Sequence, residues 1–272
     1  MLPWTIHSTD LESWRLYQQG KYIQSREALN KRLAGDVQPN KYMTLGKFFA
    51  GLVEAALLLE DARPQAVVRA LRALRDGELG ARNEDGQLWK KTIELGRHVV
   101  IPETDEEKAG MAFDIADLSR FVSELAREPN RQPEVALERK YELQAGTAIL
   151  SGTADIWNNE KRVIGEIKTT LNGPRKTVTS YRDSMQWMSY LELFEAQAIT
   201  FVLYRFRPLK KSNEIQYFQA MDRQTMTLTP ADFSRKYLLG QLNSLVDYLN
   251  RTNDPAVNQR MLYSQPSTLT TL

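Results

Sequence analysis

No cysteine occurs in the 272 residues, and histidine occurs only twice, as His7 and His98. The first absence excludes disulfides and thiolate-held metals, an iron–sulfur cluster among them, and fits a reducing, cytoplasmic setting. Long apolar runs are also missing. The longest, FFAGLVEAALLL, has 12 residues and contains Glu54, which is too short and too polar to cross a bilayer. The opening MLPWTIHSTD has no basic region followed by an apolar core, so no signal peptide is expected. Charge of one sign is scarce as well. Thirty-six basic against 34 acidic residues leave a formal net charge of +2, so any contact with nucleic acid has to come from a local basic patch. Internal repeats and low-complexity tracts are absent.

What is present describes an ordinary folded protein. The chain is 42% hydrophobic and 26% charged, and long enough to bury a real core in one domain. Its most informative stretch is residues 151–190. LSGTADIW carries small and apolar residues up to Asn158-Asn159, a turn signal, and the β-branched KRVIGEIKTT follows. The pattern predicts a β-hairpin with Asn159 in the left-handed conformation at its turn. Alternation along the second strand puts Ile164, Glu166 and Lys168 on one face. An acid and a lysine side by side in an apolar strand need partners. The hairpin pairing brings Asp155 opposite Glu166, and two carboxylates form a hard oxygen site suited to Mg²⁺ or Mn²⁺ rather than zinc. Lys168 is placed to position a water or offset phosphoryl charge. A surface hairpin with ordinary ion pairs is the competing reading of this spacing.

After Gly173-Pro174, SYRDSMQWMSYLELFEAQ spaces Met185, Met188, Leu191 and Phe194 as a helix. Ser180 is its expected N-cap, with Asp183 completing a capping-box-like pair. Gln186 and Tyr190, four apart, share one helical face, from which an amide and a hydroxyl could bond a phosphate or a base edge.

Taken together, Gly152-Thr153-Ala154-Asp155, Glu166-Ile167-Lys168 and Gln186-Trp187-Met188-Ser189-Tyr190 resemble the RecB-like exonuclease branch of the PD-(D/E)XK nuclease superfamily. That branch is marked by a G-x-x-D strand, a (D/E)-x-K strand and a Q-x-x-x-Y helix in this order. The resemblance covers residues 134–208 well and the N-terminal helices loosely. It implies a restriction-endonuclease-like α/β core and Mg²⁺-dependent hydrolysis of DNA phosphodiesters in recombination, repair or end processing, with an exonuclease favoured and a phage-type member possible. Asp155 and Glu166 would hold the metal with the Ile167 carbonyl, Lys168 would orient the attacking water, and Gln186 and Tyr190 would grip the DNA strand. The family helix G-x-x-x-H-x-x-L-E is matched at Gly46 and Glu54, with Ala50 in place of the histidine and Val53 in place of the leucine. Glu54 is thereby an outer metal ligand or a half-buried helix glutamate. A recombination or single-strand-binding protein is an implied partner, a membrane is not, and the oligomeric state stays open.

The remaining segments read as follows. Residues 8–19 form a capped amphipathic helix, with His7 exposed beside it. Residues 42–60, 64–81, 86–100 and 113–129 read as helices, and 102–110 as an acidic loop. Arg69, Arg72 and Arg75 could face a nucleic acid, with a solvated helix face as the default reading. His98 lacks the later glutamate of the family helix and is a weak candidate ligand. PEVALERKYELQ is the first sheet strand, and Glu138 on it matches a glutamate of the family, with surface pairing as the simpler role. Lys161, Arg162, Lys168, Arg175, Lys176 and Arg182 form a local basic excess, from which Arg175, Lys176 and Arg182 are candidate phosphate contacts. Residues 198–208 and 214–221 are strands, 230–250 a helix, and the tail from Arg251 poorly ordered at its end. The expected architecture is a single domain over 1–272: a helical N-terminal part (1–130), a catalytic core (131–225) with a mixed sheet of about five strands, and a C-terminal helix (230–250). Two other readings fit the same residues: a catalytically inactive nuclease-fold module that binds DNA or acts as a scaffold, and an unrelated metal-dependent hydrolase.

Overall fold

The computed structural model describes residues 3–36, 46, 94–95, 98–101, 111–114, 135–145, 148–171, 177–208 and 216–262. Their framework is one mixed sheet flanked by helices, with nine strands among the described residues. In chain order these are β1 (Trp4–His7), β2 (Glu94–Leu95), β3 (His98–Ile101), β4 (Met111–Asp114), β5 (Val135–Ala145), β6 (Ala148–Asn158), β7 (Val163–Thr170), β8 (Ala198–Pro208) and β9 (Gln216–Leu228). The helices are α1 (Ser8–Gln18), α2 (Arg26–Leu33), α3 (Met185–Leu193), α4 (Arg235–Leu249) and α5 (Pro255–Met261). The strand order is β1-β6-β7-β8-β9-β4-β3-β2, with β5 on the other side of β6. The arrangement is consistent with the restriction-endonuclease-like core expected from the sequence.

The centre of the fold is an antiparallel meander, β5-β6-β7, followed by α3 and then by β8, which lies parallel to β7. A parallel neighbour requires a crossover, and α3 supplies it. Of the apolar residues that predicted α3, Met185, Leu191 and Phe194 are buried and Met188 is half-buried; with Trp187, Tyr190 and Leu193 they pack with Trp157, Ile164, Phe201 and Leu203 of the sheet. Leu11 and Trp14 of α1 and Leu238, Leu242 and Leu245 of α4 complete the same core.

Several local expectations change. The hairpin turn does not use Asn159 as its left-handed residue; Arg162 takes that conformation, at φ 51. Its carbonyl accepts from Gln197 N at 2.7 Å and its guanidinium pairs with Glu195 at 2.8 Å, which hold the backbone there. Ser180 lies in a 3-10 turn (Val178–Tyr181), and α3 starts later, at Met185. The N-terminal part is less helical than expected, because 94–95, 98–101 and the start of the presumed 113–129 helix are strands. Their β-branched HVVI and aromatic MAFD stretches pair with each other and, through β4, with β9. β9 extends well past residue 221, the 230–250 helix divides into a 3-10 turn (Pro230–Asp232) and α4, and α5 occupies the start of the tail, whose end (263–272) lies outside the described residues. His7 is half-buried at the start of α1, where its amide donates to Asp10 Oδ2 at 2.9 Å. The expected helices over 42–60, 64–81 and most of 86–100 and 113–129 lie outside the described residues. No helix among the described residues is long and apolar enough to cross a membrane.

Candidate active site

The site forms where β6 changes partners. β5 pairs with β6 from end to end, whereas the opposite side of β6 is shared. β1 holds Ala148 to Ser151 in parallel register, and β7 holds Ile156 to Asn158 in antiparallel register. Residues 152–155 span the fork between them. Gly152 is required here because α3 crosses the fork closely: a Cβ on it would meet Tyr190 Cε1 at 2.6 Å and Leu193 Cδ1 at 2.9 Å.

At Asp155 the β6–β7 ladder opens, and the two carboxylates take over its hydrogen bonds. Asp155 N donates to Glu166 Oε1 at 3.3 Å, and Ile167 N donates to Asp155 Oδ2 at 2.7 Å. Each acid thus receives an amide of the opposite strand, which fixes both carboxylates side by side at the fork. Lys168 Nζ donates to Glu166 Oε2 at 2.6 Å. From α3, Gln186 Nε2 donates to the same oxygen at 2.9 Å and to the Tyr190 hydroxyl at 3.2 Å. Tyr190 in turn donates to the Thr153 carbonyl at 2.6 Å, closing the fork onto α3.

Burial sets the electrostatics. The Glu166 side chain is 1% exposed and that of Lys168 20%. Removal from water, reinforced by the neighbouring Asp155 charge, pushes the Glu166 carboxyl up to about 8, against the pull of Lys168. Burial likewise raises Asp155, although Lys168 and the Ile167 amide oppose it. For Lys168, burial disfavours the charge, but Glu166 and Asp155 outweigh it and hold the ammonium above its usual value. Tyr190 is raised by burial and by the Glu166 charge and stays a phenol. Burial thus works against negative charge on both acids, and Lys168 is the cation beside them.

This donor set fits a hard divalent cation. It offers carboxylate oxygens in a pair, and Mg²⁺ is commonly held by one or two carboxylates completed by water and substrate phosphate. It does not fit a site enclosed by protein ligands alone, since no group of three or more His, Cys, Asp or Glu gathers among the described residues. Asp155, Glu166 and Lys168, expected together from the sequence, are together. Ile167 lies between the two β7 charges, its amide on Asp155. Gln186 and Tyr190 point at Glu166 and Thr153, so their described bonds brace the site from within. Arg182 is exposed, with its carbonyl accepting from the Trp187 indole at 2.8 Å. Lys161 and Arg162 sit at the hairpin turn, just before β7 and five and four residues from Glu166, which is about 13 Å or more along an extended chain. Arg175, Lys176 and Glu54 lie outside the described residues, as do Arg69, Arg72 and Arg75. Of the Gly46 helix, Gly46 itself is described, and it approaches β7 so closely that a Cβ would stand 2.9 Å from Thr169 Oγ1.

Glu12 is a participant that sequence reasoning passed over. Ser184, at the N-cap position of α3, makes no side-chain cap. Instead Glu12 Oε2 of α1 accepts from Met185 N at 2.8 Å while Arg15 Nε donates to the same carboxylate at 3.0 Å. A carboxylate at a helix N-terminus is favoured by the helix dipole, and this one sits next to Gln186. In the sequence, Glu12 and Arg15 look like a solvated i,i+3 pair.

The chain matches no family model, and no curated protein matches it. Among solved structures it is similar to a protein from Eubacterium rectale named "putative exonuclease", with 8% identity, a TM-score of 0.43 and coverage of 97% of this chain and 91% of that one. It is also similar to SSO0001, at 16% identity and a TM-score of 0.31, covering 94% of this chain and 80% of that one. At these levels likeness says nothing about chemistry. The side chains do.

Proposed function

We propose that this protein is a metal-dependent deoxyribonuclease that hydrolyses phosphodiester bonds in DNA, acting as an exonuclease in recombination, repair or end processing. The observation that carries the reading is the reciprocal Asp155–Glu166 hydrogen bonding at the β6–β7 fork with Lys168 on Glu166. Two preorganised carboxylates beside a lysine, in a site of low water content, are suited to stabilising charge on a phosphoryl group.

Asp155 and Glu166 would hold Mg²⁺, or Mn²⁺ in its place, with the Ile167 carbonyl and Glu54 as further oxygen donors. When bound, the cation lowers the pKa of a coordinated water and neutralises charge on the phosphoryl oxygens. Lys168, kept protonated by its two acidic neighbours, orients the attacking water and offsets developing negative charge. Gln186 keeps one Glu166 oxygen aimed, and Tyr190 ties Gln186 to the Thr153 carbonyl. Arg175, Lys176 and Arg182 would contact backbone phosphates. Cytoplasmic action, alone or beside a recombination or single-strand-binding protein, completes the proposal.

The test is cleavage of end-labelled linear and circular DNA, single- and double-stranded, with Mg²⁺, Mn²⁺ or EDTA. Metal-dependent loss of linear DNA that Asp155→Ala and Lys168→Ala abolish is the expected result. Cleavage of closed circles would replace exonuclease with endonuclease action. DNA binding without cleavage by wild type in any metal would make the chain an inactive binding module.

A further inference from the structure

The β8–β9 pair carries an arginine whose place relative to the site is fixed by strand register. β7 and β8 are parallel, with Glu166 beside Phe201, Lys168 beside Leu203 and Thr170 beside Arg205. Neighbouring residues in a sheet project from the same face, and Glu166 projects toward α3, where Gln186 meets it. Phe201 confirms the face, since it stacks on Tyr181 of the 3-10 turn that leads into α3. Arg205 therefore stands on the site's own face, two residues beyond the level of Lys168, which is about 7 Å along the strand.

Its orientation is set by Asp222, its register partner on β9. The carboxylate takes Arg205 through Nε and Nη2 together. That fork-to-fork contact occupies one edge of the guanidinium and leaves Nη1 outside the pair. The arginine side chain is 20% exposed and Asp222 44%, so the pair lies in the surface. An arginine held by a carboxylate on one edge is preorganised to donate from the other, and a guanidinium is suited to phosphate oxygens. A β-bulge between Arg205 and Phe206 breaks the ladder at this position, a device that re-aims side chains near functional sites.

Resting on the nuclease reading above, we infer that Arg205, oriented by Asp222, binds a backbone phosphate of the DNA adjoining the scissile one. Asp222 then has two effects. It holds the guanidinium in place, and its own charge repels the phosphate that Arg205 attracts. Such a site sets affinity without reading sequence, because phosphate contacts position the strand and base contacts specify it.

The test is fluorescence anisotropy of single- and double-stranded oligonucleotides, without divalent metal, over a salt series. Wild type, Arg205→Gln, Arg205→Lys and Asp222→Asn are compared after thermal melts verify folding. Arg205→Gln is expected to weaken binding about ten-fold at low salt and to reduce the slope of log K against log salt by about 1, equally for unrelated sequences. Arg205→Lys restores the slope but only part of the affinity, as a point charge replaces a planar fork. Asp222→Asn tightens binding at low salt. A wild-type salt slope retained in Arg205→Gln would overturn the inference, as would weakened binding in Asp222→Asn equal to that in Arg205→Gln, which marks a purely structural pair. Failure of wild type to bind any DNA would instead remove the nuclease reading beneath it.

Discussion

Two acid–base pairs stand on neighbouring strands and behave in opposite ways. Glu166 and Lys168 meet within β7 with the acid 1% exposed, and Arg205 meets Asp222 across β8 and β9 with the acid 44% exposed. Burial drives the Glu166 carboxyl up to about 8, whereas the hydrogen bond from Arg205 drives Asp222 below its ordinary value. Contact with a cation is common to both pairs, so water decides the difference. Where water is excluded, desolvation exceeds what one lysine returns, and the pair remains short of positive charge. Where water remains, the pair is satisfied and serves to orient its arginine. The buried pair is the one prepared for a metal.

The sharpest break in that contrast is Glu166→Gln. Loss of the buried carboxylate is expected to lower DNA cleavage by about 10²–10³-fold while the metal-free fold melts no earlier than wild type, measured by turnover and by circular dichroism. A large drop in melting temperature with cleavage retained would show that the pair is structural.

Proton release is the next largest effect. Because burial keeps Glu166 protonated up to about 8, binding of Mg²⁺ or Mn²⁺ near neutral pH must displace a proton. Calorimetry in buffers of different ionisation enthalpy should show roughly one proton released at pH 7, with affinity rising toward pH 8. No dependence on buffer would mean that the acid is already ionised.

Stability of the metal-free protein then carries the sign of each pair. Glu166 binds its proton more tightly folded than unfolded, so its contribution is complete below 4.5 and is lost as pH rises toward about 8. Asp222 runs the other way, contributing above its ordinary 3.8 and losing that contribution in more acid solution. Urea titrations from pH 4 to 9 should show the first slope in wild type and its reduction in Glu166→Gln.

The smallest effect belongs to Glu12. Glu12→Ala removes the cap of α3 at about 1 kcal/mol, which corresponds to a fall in melting temperature of roughly 2–4 °C. Cleavage should fall with it, since Gln186 follows directly after the capped amide. An unchanged melting temperature would mean that packing alone holds α3.

Legibility in the sequence followed the distance over which each contact closes. The β6–β7 hairpin and α3 lie within a short span, and alternation and helical spacing located Asp155, Glu166, Lys168, Gln186 and Tyr190 on the right elements. The strand spacing also put Glu166 and Lys168 together. What alternation could not show is the opening of the ladder at Asp155, because that depends on β1 filling the other half of the β6 edge. Likewise, HVVI and MAFD are short enough to read as parts of helices until β9 offers them an edge. Glu12 was illegible for the same reason: its partner, Met185, is 173 residues away. Arg162 shows a different limit, since turn propensity favoured Asn159 and tertiary bonds to Glu195 and Gln197 outweighed it.

The short strand β1 also bears on the order in which the fold assembles. Its Trp4 indole donates to Asn250 at 2.8 Å, and Trp4 bridges to Leu262. Arg260, beside that bridge, holds Asp10 at 2.9 Å. β1 fills half of the β6 edge beside Asp155, and its own far side is held by residues 250–262, so the surroundings of the site join segments almost the whole described chain apart. Contacts of such sequence separation form slowly, because the closure entropy of a long loop has to be met first. The fork is therefore completed late in folding, after the local β6–β7 hairpin has formed.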